Sequence, residues 1–180
     1  MKTLFLEKID IPSGIECEYK DKTLICRKNS IELKRKINIP NVSITFKDNS
    51  ITFTSKKAAK KERKTITSYL YHIKNIFEGL EKKFVYKLEA CNVHFPMTLK
   101  IEGNKLIINN FLGEKTPRYA EILSNVDVQI KGTLISISSH DKEAAGQTSA
   151  NFEKATKVSN RDRRIFQDGI YITEKPGDKK

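Results

Sequence analysis

The sequence predicts an α+β protein of two tandem repeats, each an antiparallel β-sheet with one α-helix packed across one face. Three observations predict this class. Shifting the chain against itself by about eighty residues aligns two halves of matching pattern, the self-similarity that marks a repeated unit. Each half holds two stretches in which apolar and polar residues alternate on both sides of a two-residue turn, as in a β-hairpin. After the second hairpin of each half the apolar period changes from about 2 to about 3.6, which is the change from strand to helix.

In chain order, residues 15–27 alternate around Asp21-Lys22, and their counterparts 97–109 alternate around Gly103-Asn104. The second hairpins place Ile44, Phe46, Ile51 and Phe53 around Asp48-Asn49, and Val128, Ile130, Ile135 and Ile137 around Gly132-Thr133. Asp, Asn and Gly tolerate the backbone angles of tight turns, and the period of two gathers the named apolar residues on one sheet face. Ile66, Tyr69, Leu70, Ile73, Ile76, Phe77 and Leu80 then recur at i, i+3, i+4 and i+7, which predicts an amphipathic helix beginning between Ser55 and Ala58 and stopping near Gly79. Ala145, Thr148, Phe152 and Ala155 mark a shorter helix in the second half, with Asp141 and Glu143 in its first turn, where the macrodipole favours anions. A one-sided sheet and a one-sided helix each need the other's cover, so each repeat closes on itself. The expected divisions are 1–81 for the first repeat, 82–158 for the second, and 159–180 for a basic C-terminal extension packed on or near the second. Each half is marginal in size, and no Gly/Ser-rich spacer separates them, so a rigid junction is expected.

Composition bounds the partners. The 180 residues include 34 Lys and Arg against 22 Asp and Glu, a formal net charge of +12. That surplus reads either as the footprint of a polyanion-binding protein or as charge that keeps a soluble protein dispersed. No apolar run reaches membrane-spanning length, and Glu7 and Lys8 interrupt the N-terminus before a signal-peptide core forms, so a soluble intracellular protein with no membrane partner is expected. Three cysteines are an odd number and form no C-x-x-C pair, which argues against a disulfide scaffold and against zinc. Cys17 and Cys26 either face each other across the first hairpin or are simply two small, semi-buried strand residues. His72, His94 and His140 stand isolated, and no nucleophile elbow, P-loop or H-E-x-x-H occurs. Neither a catalytic residue, a metal, a cofactor nor a small-molecule substrate is predicted.

Four basic segments remain. The run Lys56-Lys57-Ala58-Ala59-Lys60-Lys61-Glu62-Arg63-Lys64 is placed at the start of the first helix, where cations oppose the macrodipole, and reads as a solvated helix start or as a polyanion contact. Lys34-Arg35-Lys36 reads as an edge strand protected by charge or as a phosphate contact. In the segment 110–118, Gly113 and Pro117 set Lys115 and Arg118 on a loop leaving a strand, where recognition by RNA is favoured. The densest segment, 160–172, holds Arg161, Arg163 and Arg164, whose planar forks suit phosphate. There Phe166 and Tyr171 read as anchors, with stacking on a base as the other role. Asp168-Gly169 reads as a turn, Ile170 to Ile172 as an added strand, and Lys175 to Lys180 as a basic tail.

These segments carry a resemblance. Gly146-Gln147-Thr148-Ser149-Ala150-Asn151, Ala155-Thr156-Lys157-Val158, and Asn160-Arg161-Asp162-Arg163-Arg164 followed by Phe166 and Asp168-Gly169-Ile170-Tyr171 closely resemble the C-terminal signature of the large-subunit ribosomal protein six family, in its archaeal and eukaryotic form. Phe84, Tyr86-Lys87, His94-Phe95-Pro96, Asn110 to Lys115, Arg118, Met1-Lys2-Thr3 and Asp10-Ile11-Pro12 fit the same family, so the likeness runs almost end to end. The resemblance implies two tandem copies of one fold and a structural, non-catalytic role on cytoplasmic ribosomes. It further implies that the second domain and C-terminal region bind large-subunit rRNA near the sarcin–ricin loop, beside neighbouring ribosomal proteins and the docking region of translational GTPases. Carried over position by position, the implied RNA-facing residues are Gly113, Lys115 and Arg118 on the loop, Lys157, Asn160, Arg161, Arg163 and Arg164 near the terminus, and Gln147 and Asn151 on the second helix. The chain departs from the family at residues 27–35, where relatives have a glycine-rich basic turn and this sequence has no glycine, and at Lys83, where a glycine is usual. A free-standing RNA-binding regulator and an RNA-processing enzyme on a related scaffold are the alternative readings.

Overall fold

A computed structural model describes residues 3–40, 42–47, 49–162 and 164–177. The chain divides into two units, Met1–Lys82 and Lys83–Lys180. In the first unit the order is β1 (Thr3–Asp10), β2 (Glu16–Lys20), β3 (Thr23–Lys28), β4 (Ile31–Lys36), β5 (Ser43–Lys47), β6 (Ser50–Ala58) and α1 (Lys60–Glu81). The second unit repeats it as β7 (Phe84–Cys91), β8 (Thr98–Glu102), β9 (Lys105–Asn109), β10 (Arg118–Glu121), β11 (Asp127–Lys131), β12 (Leu134–Ser139) and α2 (Lys142–Ala155), and then adds β13 (Gly169–Glu174).

The repeat extends to the ladders. In the first unit β1-β6-β5 form one antiparallel sheet and β2-β3-β4 a second; in the second unit the equivalents are β11-β12-β7-β13 and β10-β9-β8. Each unit therefore has two small sheets under its helix where the alternation suggested one. A period of two fixes which face of a strand is apolar but not which hairpins share a ladder.

The turns form at the expected dipeptides. Asp21 and Lys22 both take left-handed backbone (φ 49° and 60°), as the two-residue turn that matches strand twist requires. Gly103 (φ 58°), Gly132 (φ 62°) and Asn49 (φ 60°) do likewise, while Asp48 lies outside the described residues. Across the first hairpin Cys17 and Cys26 face each other in register, their free thiols 2.9 Å apart, with Cys26 buried and Cys17 half-buried.

Helix α1 begins at Lys60, later than the apolar spacing predicts, because β6 keeps pairing with β1 as far as Ala58 opposite Thr3. Lys56 and Lys57 thus belong to a strand, and their side chains lie outside the described residues. At the helix start the Ala59 N–H donates to Glu62 Oε2 at 3.0 Å, so an acidic residue satisfies one orphan donor and offsets the lysines of the first turn. Ile66, Ile73, Phe77 and Leu80 are buried in a core with Leu24, Cys26, Ile37, Ile51 and Phe53. The second core gathers Leu88, Leu106, Ile108, Phe111, Ile135, Ile137, Phe152 and Ile170. Each such side chain contributes roughly 1.5–3 kcal/mol on burial.

Helix α2 starts at Lys142, so of the two acidic residues expected in its first turn Glu143 lies there and Asp141 is the cap: its carboxylate accepts the Glu143 N–H at 2.9 Å. Gly146 faces Tyr86, and a Cβ there would stand 2.9 Å from the Tyr86 hydroxyl. The helix lies against β7, β10, β12 and β13. Strand β13 pairs antiparallel with β7, Ile170 opposite Ala90 and Ile172 opposite Leu88.

Candidate nucleic-acid interface

Three segments of the second unit, residues 93–96, 110–118 and 155–168, meet at one corner. The first link is the loop after β9. Asn110 and Leu112 take left-handed backbone (φ 59° and 51°), Gly113 follows at φ 78°, and the Asn110 side-chain amide donates to the Pro96 carbonyl at 3.0 Å. An added Cβ at Gly113 would meet the Phe95 ring at an ordinary contact distance of 3.5 Å, so it is the backbone angle that calls for glycine. Lys115 is exposed on this loop.

Arg118 does not. Its guanidinium grips the Glu114 carboxylate with two bonds, 2.7 Å from Nε and 2.6 Å from Nη2, and donates from Nη1 to the Ala155 carbonyl at 2.9 Å. It also lies over the Phe111 ring, 4.3 Å from its centre. Hydrogen bonding from Arg118 holds the Glu114 carboxyl below its ordinary range, with burial opposing. Arg118 therefore ties the loop to the last turn of α2, where a cation also meets the negative end of the helix.

The end of α2 is fastened a second time. The buried Thr156 hydroxyl donates to the Phe152 carbonyl at 3.3 Å and accepts the Ile170 N–H at 2.8 Å, so one side chain joins helix and β13. Lys157 lies exposed directly beyond it, beside a groove of about 440 Å³ lined by Lys154, Thr156, Lys157, Val158 and Tyr171 among others.

The arginine segment rests on a stack. Arg161 lies 4.7 Å from the centre of the Phe166 ring, and Phe166 stacks on His94 at 5.0 Å with 26° between the planes. The His94 ring is bonded through Nδ1 to Asp168 Oδ2 at 2.6 Å, and Asp168 Oδ1 accepts the backbone N–H groups of Val93 and His94, both at 2.9 Å. Asp168 is 0% exposed. Within the segment Asp162 accepts the Arg164 N–H at 2.9 Å, and its carbonyl accepts the Phe166 N–H at 2.9 Å, which shapes a tight turn. Asn160 supplies a left-handed residue (φ 57°), and Arg161 and Arg164 are exposed. Arg163 lies outside the described residues.

Two readings change. Asp168-Gly169 is no free turn: Asp168 is a buried acceptor and Gly169 opens β13. His94 is not isolated, since it carries Phe166 on one side and Asp168 at its edge. Their partnership spans 74 residues, and local sequence gives no sign of it. Phe166 takes the anchoring role, its face used by His94 and Arg161. Tyr171 is half-buried on β13.

Gln147 and Asn151 stand one turn apart on α2 and bond each other at 3.0 Å, while the Asn151 amide donates to the Glu121 carbonyl at 3.1 Å. Gln147 is exposed and Asn151 is held. Among the described residues no group of three His, Cys, Asp or Glu side chains has the arrangement of a metal site, and no helix is long and apolar enough to cross a membrane.

Comparison with known proteins adds the following. A family model described as Ribosomal protein L6 matches residues 95–169, which span the corner from Phe95 to Gly169. The chain is also 40% identical over 174 residues to the large ribosomal subunit protein uL6 of Methanococcus vannielii, a match covering 97% of this chain and 96% of that one.

Proposed function

The chain belongs to the ribosomal protein L6 family, and on that premise we propose that it fastens large-subunit rRNA through the corner of its second unit. The family is structural and non-enzymatic, and its members are proteins of the large ribosomal subunit. The observation that carries the rRNA reading is the stack Arg161–Phe166–His94–Asp168, which fixes an arginine-rich segment on a rigid base and leaves Arg161 and Arg164 open to solvent. Guanidinium groups held in this way meet phosphates without first having to be ordered, so less entropy is lost on binding.

In this reading Lys115, Lys157, Arg161, Arg163 and Arg164 contact phosphates, and Asn160, Gln147 and the Gly113 backbone shape the surface against the RNA. Asn151 and Arg118 act one step removed, holding Gln147 and the 110–118 loop in place. Residues 159–180 work as a basic extension of the second repeat, distinct in role from 1–81 and 82–158. Sequence choice rests with the folded RNA, because phosphate contacts position a protein without reading bases. In the same proposal the site lies near the sarcin–ricin loop, among neighbouring ribosomal proteins and close to where translational GTPases dock, on cytoplasmic ribosomes, a reading that membership of the family supports.

The test is binding of the full chain to large-subunit rRNA over a range of salt. With about six to eight phosphates engaged, log affinity falls against log salt with a slope of roughly −5 to −7. Replacing Arg161, Arg163 and Arg164 together by Glu is expected to block incorporation into the large subunit while circular dichroism stays unchanged. Normal incorporation, or a slope near zero, refutes the assignment. A stoichiometric soluble pool that does not sediment with the subunit in high salt points instead to a free-standing regulator.

A further inference from the structure

The charge of the chain is divided against its proposed contacts. Residues 1–82 carry 18 Lys and Arg against 10 Asp and Glu, while residues 83–180 carry 16 against 12. Two thirds of the net +12 thus lies on the unit that holds none of the contacts proposed above.

Part of that surplus lies on α1, whose residues 60–81 hold five Lys and Arg against three Asp and Glu. Its buried side, Ile66, Ile73, Phe77 and Leu80, faces the core, which turns Lys60, Lys61, Lys64, Ser68, Tyr71 and Lys74 outward, all of them exposed. Where α1 passes β4, a shallow groove of about 350 Å³ is lined by Arg35, Lys64, Thr65, Ser68, Tyr69 and His72. Its lining contains two permanent cations, an imidazole and three hydroxyl groups, and no carboxylate. Three acidic residues of the unit have partners outside the groove lining: Glu62 with the Ala59 N–H, Glu32 with Arg27 and Lys34, and Glu81 with Lys28. Glu78 stands one turn beyond Lys74, away from the groove lining. Next to the groove Tyr71 is 63% exposed with the Lys74 ammonium 5.6 Å from its ring centre, an aromatic face presented among cations.

We propose that the α1–β4 groove is a second RNA-binding site, which takes a backbone phosphodiester between Arg35 and Lys64 while Tyr71 stacks on an adjoining base. Cations and hydroxyls without carboxylates suit phosphate oxygens, and an exposed tyrosine beside them suits an unpaired base. An acidic protein partner fits less well. Protein interfaces are depleted in lysine and built around an apolar centre, whereas the outward side of α1 offers four lysines and one aromatic ring. The inference rests on the reading of the chain as an RNA binder, and it makes the protein a two-handed one, with a grip on each unit.

The full chain with Lys61→Gln and Lys64→Gln, both exposed positions, tests it by filter binding to large-subunit rRNA across salt, beside a chain with Arg161→Gln and Arg164→Gln. Each neutralised phosphate contact is worth about 0.9 in the slope, so the α1 variant is expected to flatten it by roughly 1–2 and to weaken binding roughly tenfold at 0.1 M salt. Ultraviolet cross-linking of the complex is expected to map uridine adducts to a peptide containing Tyr71. An unchanged slope for the α1 variant alongside a flattened one for the arginine variant overturns the second site and leaves the first standing. A wild-type chain with no salt-dependent binding overturns both. An α1 variant whose loss is matched in binding to poly-glutamate, with no adduct at Tyr71, assigns the groove to acidic protein and also overturns the proposal. Melting temperatures within a degree or two of wild type separate each result from misfolding.

Discussion

At Asp168 burial alone pushes the carboxyl up, yet the bonds from the His94 backbone, the His94 ring and the Val93 backbone outweigh it and hold the group below its ordinary value. A carboxyl lowered in the folded state stabilises the fold above its unfolded value, near pH 4, and that contribution fades as pH falls through the folded value. Asp168→Ala is therefore expected to cost on the order of 2 kcal/mol at pH 7, the penalty for stranding buried donors. In urea titrations the gap from wild type stays constant above about pH 5 and closes in stronger acid; a gap independent of pH down to 2 refutes the account. Gly146 allows a second measurement. Alanine is favoured over glycine inside a helix by about 1 kcal/mol, but here its Cβ meets the Tyr86 hydroxyl at 2.9 Å. Gly146→Ala is expected to lower stability by about 1 kcal/mol in the wild-type background and to be neutral or better in Tyr86→Phe, which a thermal double-mutant cycle reads directly. Neither role was legible beforehand. Asp168 beside Gly169 has the look of a turn, and the partners that bury it lie 74 and 75 residues away. Gly146 sits in a helical pattern whose partner strand is remote.

The elements were far more legible, because periodicity is a local property. The four expected hairpins pair across their dipeptides, a further one between β3 and β4 turns at Asn29-Ser30 without having been expected, and Ile66, Ile73, Phe77 and Leu80 face the core. The start of α1 was misplaced by the pairing of Ala58 with Thr3, a contact across more than fifty residues that overrides local preference. In the loop from Asn110 to Arg118 the signal was present but pointed elsewhere: Glu114 stands four residues before Arg118, the spacing of an ion pair, while the bond to Ala155 spans 37 residues. The loop depends on that arginine. Arg118→Ala is expected to destabilise the second unit by about 1.5–3 kcal/mol and to raise amide exchange over 110–118, and Arg118→Lys to recover less than half, since an ammonium cannot reproduce the fork. Full recovery by lysine means that charge alone suffices and the geometric account is wrong.

For the whole molecule, the repeat was visible as a pattern and the ladders were not, so two sheets in each unit came as a structural finding. The strand with no counterpart in the first unit is β13, and it seats Ile170 in the second core against β7. A chain stopped before Gly169 is expected to keep a protease-resistant first unit and to lose resistance throughout the second; an intact second unit refutes the role given to β13. That strand also sets a schedule. Ribosomes release a chain from its N-terminus onward, so the first unit has all its strands as soon as Ala58 emerges, whereas the second waits for residues near 174. The arginine segment stands immediately ahead of that final strand. Products terminated ahead of β13 thus emerge without a finished grip, and fitness for assembly waits on that strand.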